Sequence, residues 1–198
     1  MKKYQIIIIS GIFSLSTTVS ADLFFSEYIE GSAYNKALEI YNPSSETIDL
    51  SGYSIQLFSN GRSSANSTFH FSGKIEAYGV YIVANPKAGY EILNIANKTS
   101  KTVNFNGNDA VTLTKNGIII DVIGQPGFNP GSKWGAKNLS TKDCTLRRKN
   151  MIVTGVPRSN YPFDPSIEWE GFAKDDFSGL GQFWLSFIIR QRKIIQNI

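Results

Sequence analysis

The sequence predicts an all-β domain, an antiparallel sandwich of two sheets or a barrel, on three observations. Apolar and polar residues alternate with a period of two in run after run, which puts every second side chain on one face of a strand. Gly, Asn, Pro and Ser interrupt those runs every few residues. Only one stretch has the three-and-four spacing of a helix. With 41% hydrophobic and 18% charged residues, the chain has a globular composition, which excludes a mainly disordered one. Aromatic residues, at 13%, supply the bulk that a core between two sheets needs.

The elements follow in chain order. Residues 23–29 alternate and end at Gly31-Ser32. Residues 37–41 end at Asn42-Pro43, because proline has no N–H to give a ladder. Residues 53–58 run from Ser51-Gly52 to Asn60-Gly61, and residues 68–71 stop at Ser72-Gly73. Residues 80–84 stop at Asn85-Pro86. Residues 89–97, with Ile92, Leu93 and Ala96 on one face, are expected to form a short helix. Residues 109–114 and 118–123 flank Lys115-Asn116-Gly117. An Asn-Gly pair between two such runs predicts a hairpin whose type I′ turn needs positive φ at both central positions. Residues 144–149 are the last strand expected. Spacing this irregular, with no internal repeat, excludes a propeller or a solenoid.

The two ends read differently from the body. Lys2 and Lys3, an apolar stretch from Ile6 to Val19 and the small residues Val19-Ser20-Ala21 predict an export signal over residues 1–21, cut before Asp22. The apolar stretch is shorter than the ~20 residues of a spanning helix, so no transmembrane span is expected in the mature chain. Residues 182–198 are apolar, then basic at Arg190-Gln191-Arg192-Lys193, then apolar again. Two readings of this tail stand: a membrane-surface segment, or a remnant left by truncation or a frameshift. The formal net charge of +4 belongs to these ends, since residues 22–181 carry nearly equal numbers of basic and acidic side chains. The basic balance therefore gives no support to a DNA-binding body. A single Cys144 cannot close an internal disulfide, and one Cys with one His excludes zinc clusters built from several of them.

Candidate chemistry is sparse. His70 lies between Phe69 and Phe71, so alternation turns both rings inward and the imidazole outward. Glu27 and Glu39, on the first two strands, could face each other as a metal pair. Asp164, Glu168, Glu170, Asp175 and Asp176 read as a solvated acidic loop, with Ca²⁺ as the sharper alternative. Arg147, Arg148 and Lys149 are the candidate nucleic-acid contacts, read otherwise as a solvated strand edge. Trp134, Trp169, Tyr34 and Tyr161 fall in or beside loops, where they plug the ends of a sandwich or stack on ligands. No Gly-x-Ser-x-Gly, phosphate loop or dinucleotide glycine pattern occurs.

An ordered set of segments carries a resemblance. It begins with Ser26-Glu27-Tyr28-Ile29-Glu30-Gly31-Ser32, Asn35 to Pro43 and Asp49-Leu50-Ser51-Gly52-Tyr53. It continues through Tyr81 to Asn85, Asn104 to Val111, Asp121 to Gly124, Thr145 to Lys149 and Phe163 to Trp169. Together these resemble a bacterial lamin-tail domain over residues 22–181. The resemblance implies an immunoglobulin-like sandwich, no catalytic residues and no cofactor. Similar domains stand at the front of secreted nucleases of the endonuclease/exonuclease/phosphatase type, and this sequence ends where their enzyme domain would begin. The expectation is an exported, non-catalytic binding or tethering module, secreted or at the cell surface. The alternatives are the front fragment of a secreted nuclease and a carbohydrate-binding module. The expected partner is an extracellular or cell-surface ligand, with a nuclease domain or nucleic acid as a further candidate.

Overall fold

Two sheets pack face to face in the computed structural model, which describes residues 22–157 and 160–183. The expected export signal and nearly all of the tail lie outside the described residues. The chain opens with β1 (Phe24–Glu30), β2 (Lys36–Tyr41) and the short β3 (Ile48–Asp49). Next come β4 (Tyr53–Phe58), β5 (Ser67–His70), β6 (Lys74–Ile75) and β7 (Val80–Ala84). A single helical turn, α1 (Tyr90–Leu93), precedes β8 (Lys98–Thr99). The hairpin of β9 (Ala110–Lys115) and β10 (Ile118–Ile123) is followed by the small ribbon of β11 (Gly135–Ala136) and β12 (Leu139–Ser140). The last elements are β13 (Cys144–Arg148), a second turn α2 (Pro165–Glu168) and β14 (Trp169–Phe172). The larger sheet has the order β14-β13-β1-β2-β7-β8 and the smaller β10-β9-β4-β5. Among the described residues every pairing is antiparallel except β7 with β8.

Alternation sends Phe25, Tyr28, Leu38, Ile40, Val83 and Leu146 of the larger sheet against Ile55, Leu57, Val111 and Leu113 of the smaller. Phe105 enters this core from the loop before β9 and stacks on Tyr28, with ring centroids 4.6 Å apart. Burying groups of this kind is worth roughly 1.5–3 kcal/mol per large side chain. The expected hairpin is present: Asn116 and Gly117 have φ of 51° and 80°, and Lys115 pairs with Ile118. Phe71 is buried, Phe69 packs on the core and His70 is exposed, as alternation requires.

Two expectations need correction. The helix expected over 89–97 is one turn long. Its N-cap Gly89 offers no capping side chain, and by Asn97 the chain has returned to the sheet. There Ile82 N donates to Asn97 Oδ1 and Asn97 N to Ile82 O. Nor is the strand over 144–149 the last. Asp164 caps α2 by accepting from Ser166 N at 2.8 Å, Pro165 sits in its first turn, and β14 follows. β14 pairs with β13, whose other neighbour is β1. The strand that carries Arg147 and Arg148 is therefore inside the sheet, not a solvated edge.

The outer face of the larger sheet is also covered. Ile29, Ala37, Ile82 and Ala84 meet Ala88 and Ile92 from the α1 segment and Leu180 from the chain after β14. Among the described residues no helix is long and apolar enough to cross a membrane.

Candidate functional site

One end of the sandwich gathers the loops at 31–35, 59–66, 85–109 and 124–143, because β1, β4, β7 and β10 all finish there. Short polar side chains hold these loops. Asn85 donates to Val103 O at 2.8 Å and accepts from Lys87 N, while Asn35 accepts from Gly89 N at 2.8 Å. Asp109, buried, accepts from Asn60 N and Asn106 N; burial raises its carboxyl above the usual range. Asn108 bridges Asn60 and Asn129.

On this frame lies a shallow groove lined by Tyr34, Asn85, Pro86, Lys87, Lys101 and Asn104. Tyr34 is 44% exposed, with the Lys87 ammonium 4.8 Å from its ring centroid. A second hollow on the same end is lined by Asn106, Asn108, Ser132 and Lys142, among others. The acids here are engaged. Glu30 takes Lys36 at 2.6 Å and Asp143 N at 2.5 Å, Asp143 takes Lys174, and Asp175 takes Ser32 and Asn35. Lys101 and Lys142, by contrast, have no carboxylate partner among the described residues. Lys98, Lys133, Lys137 and Arg62 add further cations to the same loops. Glu46, Asp49 and Glu76 lie at the opposite end, so the near-zero sum over the body hides a polar distribution.

The structure separates the residues singled out from sequence. Arg148 is 2% exposed and enters the core edge, where it pairs with Asp121 and, at 2.8 Å, with Glu168. Its Nε donates to Phe25 O at 2.9 Å, and the guanidinium lies 4.1 Å from the Trp169 ring. Nothing of it is left for a phosphate. Arg147 faces the opposite side and meets Glu27 at 3.2 Å and Asp176 at 2.7 Å. The Lys149 ammonium donates to Ser166 O and Ile167 O. Arg147 and Arg148 border one hollow together with Glu27, Glu170 and Phe183, but both guanidiniums are already paired with carboxylates, and Lys149 is not part of its lining. The acidic residues expected in one loop are equally dispersed, each of Asp164, Glu168, Asp175 and Asp176 having its own protein partner.

Glu27 and Glu39 do face each other, as cross-strand partners on the outer face of the larger sheet. Both are buried, and the cation beside Glu27 is Arg147. Burial pushes the Glu27 carboxyl up to about 8 against the pull of Arg147, and Glu39 up to about 7 against its donors Ser26 and Gly181. No group of three metal-ligating residues forms among the described residues. Trp134 and Trp169 are buried plugs, while Tyr34 and Tyr161 are exposed. Cys144 is a buried free thiol.

Sequence reasoning missed the loop-end lysines. They are scattered from 87 to 142, and their available signal was position: all but Lys98, which opens β8, fall in loops on the same side of the strands. No curated protein matched the chain. The family model described as Lamin Tail Domain matches residues 16–127, which reach from before β1 through β10. That is more than half of the chain, with β1 to β10 inside it and β11 to β14 beyond it, and the protein belongs to the lamin tail domain family.

Proposed function

We propose that the protein is an exported, non-catalytic tethering module that grips an anionic polymer with its loop end. The leader at residues 1–21 is the support for export, and the cleaved body over 22–181 is the working unit. The observation that carries the ligand class is Tyr34, exposed on a loop under Lys87 and sharing a groove with the unpaired Lys101. An aromatic face with cations on one side suits a chain of stacked or apolar units bearing negative charges. The asparagine-held loops keep that face in place before the ligand arrives, which lowers the ordering cost of binding.

Retention of the chain lacking residues 1–21 on immobilised single-stranded DNA and on a neutral polysaccharide tests this. Binding to the polyanion that falls steeply with added salt is expected. Lys87→Glu with Lys101→Glu should abolish it, and Lys149→Ala should leave it unchanged. Retention that ignores both lysines overturns the loop-end site. Salt-independent retention on the neutral polysaccharide favours a carbohydrate-binding module instead.

A further inference from the structure

After β14 the chain doubles back across the outer face of the larger sheet. Asp175 fastens its start to Ser32 N and Asn35 Nδ2, and Leu180 sits in the apolar patch with Ile29 and Ile82. Phe183 packs against Phe24 and Tyr41, with centroids 5.9 and 4.8 Å away. Between these anchors the segment presses on the carboxylate pair. A side chain at Gly179 would collide with Arg147 Nε and lie 2.7 Å from Glu27 Oε2. Gly181 N donates to Glu39 Oε2 at 2.5 Å, while Ser26 Oγ donates to Glu39 Oε1.

We propose that residues 175–183 form a proton-held strap, closed while Glu27 and Glu39 keep a proton between them and opening when both ionise. The row across the sheet explains why. Register places Glu170, Arg147, Glu27 and Glu39 side by side on β14, β13, β1 and β2, and β7 contributes only Ile82. From the strap come Asp176 and Asp175, and from the α1 segment Glu91 borders the same cleft as Asp176. One guanidinium thus answers two buried acids and already serves Asp176. A second negative charge in that row is buried and finds no second cation among the described residues. Lifting the strap admits water to both carboxylates and returns them toward ordinary behaviour.

The direction follows from linkage. Both carboxyls bind protons more tightly closed than open, at about 8 and about 7 against 4.5. Opening therefore becomes more favourable as pH rises from about 5 to about 8, roughly tenfold per pH unit for each proton released, and levels off above.

Hydrogen exchange on the full chain reads this, with the protection factor of each strap amide over 179–181 taken against its intrinsic exchange rate at the same pH. The expected result is a loss of strap protection of at least tenfold between pH 6 and 8, with the strap less protected than the β4 core at each pH. Glu39→Gln should make the loss smaller, because one proton fewer is released, and Glu27→Gln provides a second variant. Strap protection factors that stay flat in the unaltered chain, or that equal those of the β4 core, overturn the proposal, whether or not the variants fold. This inference is independent of the loop-end site.

Discussion

Arg148 shows how one side chain finishes what a strand leaves undone. The ladder between β1 and β13 begins at Glu27 opposite Arg147, so Phe25 has no partner strand on that side. Phe25 O instead takes Arg148 Nε, and Phe25 N donates to Asp121 Oδ2 at 2.8 Å. Asp121 also accepts from Val156 N at 2.9 Å. Arg148→Ala strands a buried carboxylate and should cost about 3–5 kcal/mol in denaturant unfolding. Replacing Arg148 and Asp121 together by apolar residues should not recover that loss, because the Phe25 and Val156 backbone groups stay unpaired. Glu27 and Glu39 make the opposite demand on solvent. Their carboxyls are raised by burial, so they stabilise the fold at low pH, and that contribution fades as pH climbs through about 8. The melting temperature should fall between pH 5 and pH 8, and Glu39→Gln should flatten the fall. Asp175 and Asp176, held low by their hydrogen-bond donors, act only in stronger acid, where stability drops as they protonate.

Strands and turns were legible wherever the physics is local. The Asn116-Gly117 turn is the clearest case, since only φ matters there: a methyl group at Gly117 would touch nothing. Gly117→Ala should therefore cost only the conformational penalty of positive φ, about 1 kcal/mol by thermal melt, with the register intact. The facing of Glu27 and Glu39 was legible too, as two acids at matching positions on adjacent strands. β14 was not, because its four residues carry Gly171 and little alternation, and it exists by pairing with β13. The bulge between Phe25 and Glu27 was equally hidden. It absorbs Ser26, so that Phe25 and Tyr28 both face the core while Glu27 turns outward. Strict alternation from Leu23 would have put Glu27 inside.

Across the whole molecule, the loop-end charge was illegible because a net charge sums over space. Lysines at 87, 98, 101, 133, 137 and 142 become neighbours of one end only once the strands set their direction. Binding to a polyanion should weaken log-linearly with salt, and each lysine removed from the groove should lower the slope by about one. Arg148 escaped for a related reason: the partners that bury it, Phe25 and Asp121, lie 123 and 27 residues away.

That separation has a kinetic consequence. β1 is the first strand of the domain, yet it lies in the middle of its sheet, between β2 and β13. Its second edge is unprotected until a segment some hundred and twenty residues later arrives, as Glu27 opposite Arg147 requires. Closure of so large a loop slows folding, and partly made chains expose an unpaired strand to one another meanwhile. Refolding from denaturant should be slow, in the millisecond-to-second range, and chains shortened to end before Cys144 should aggregate rather than accumulate as a half-built sandwich.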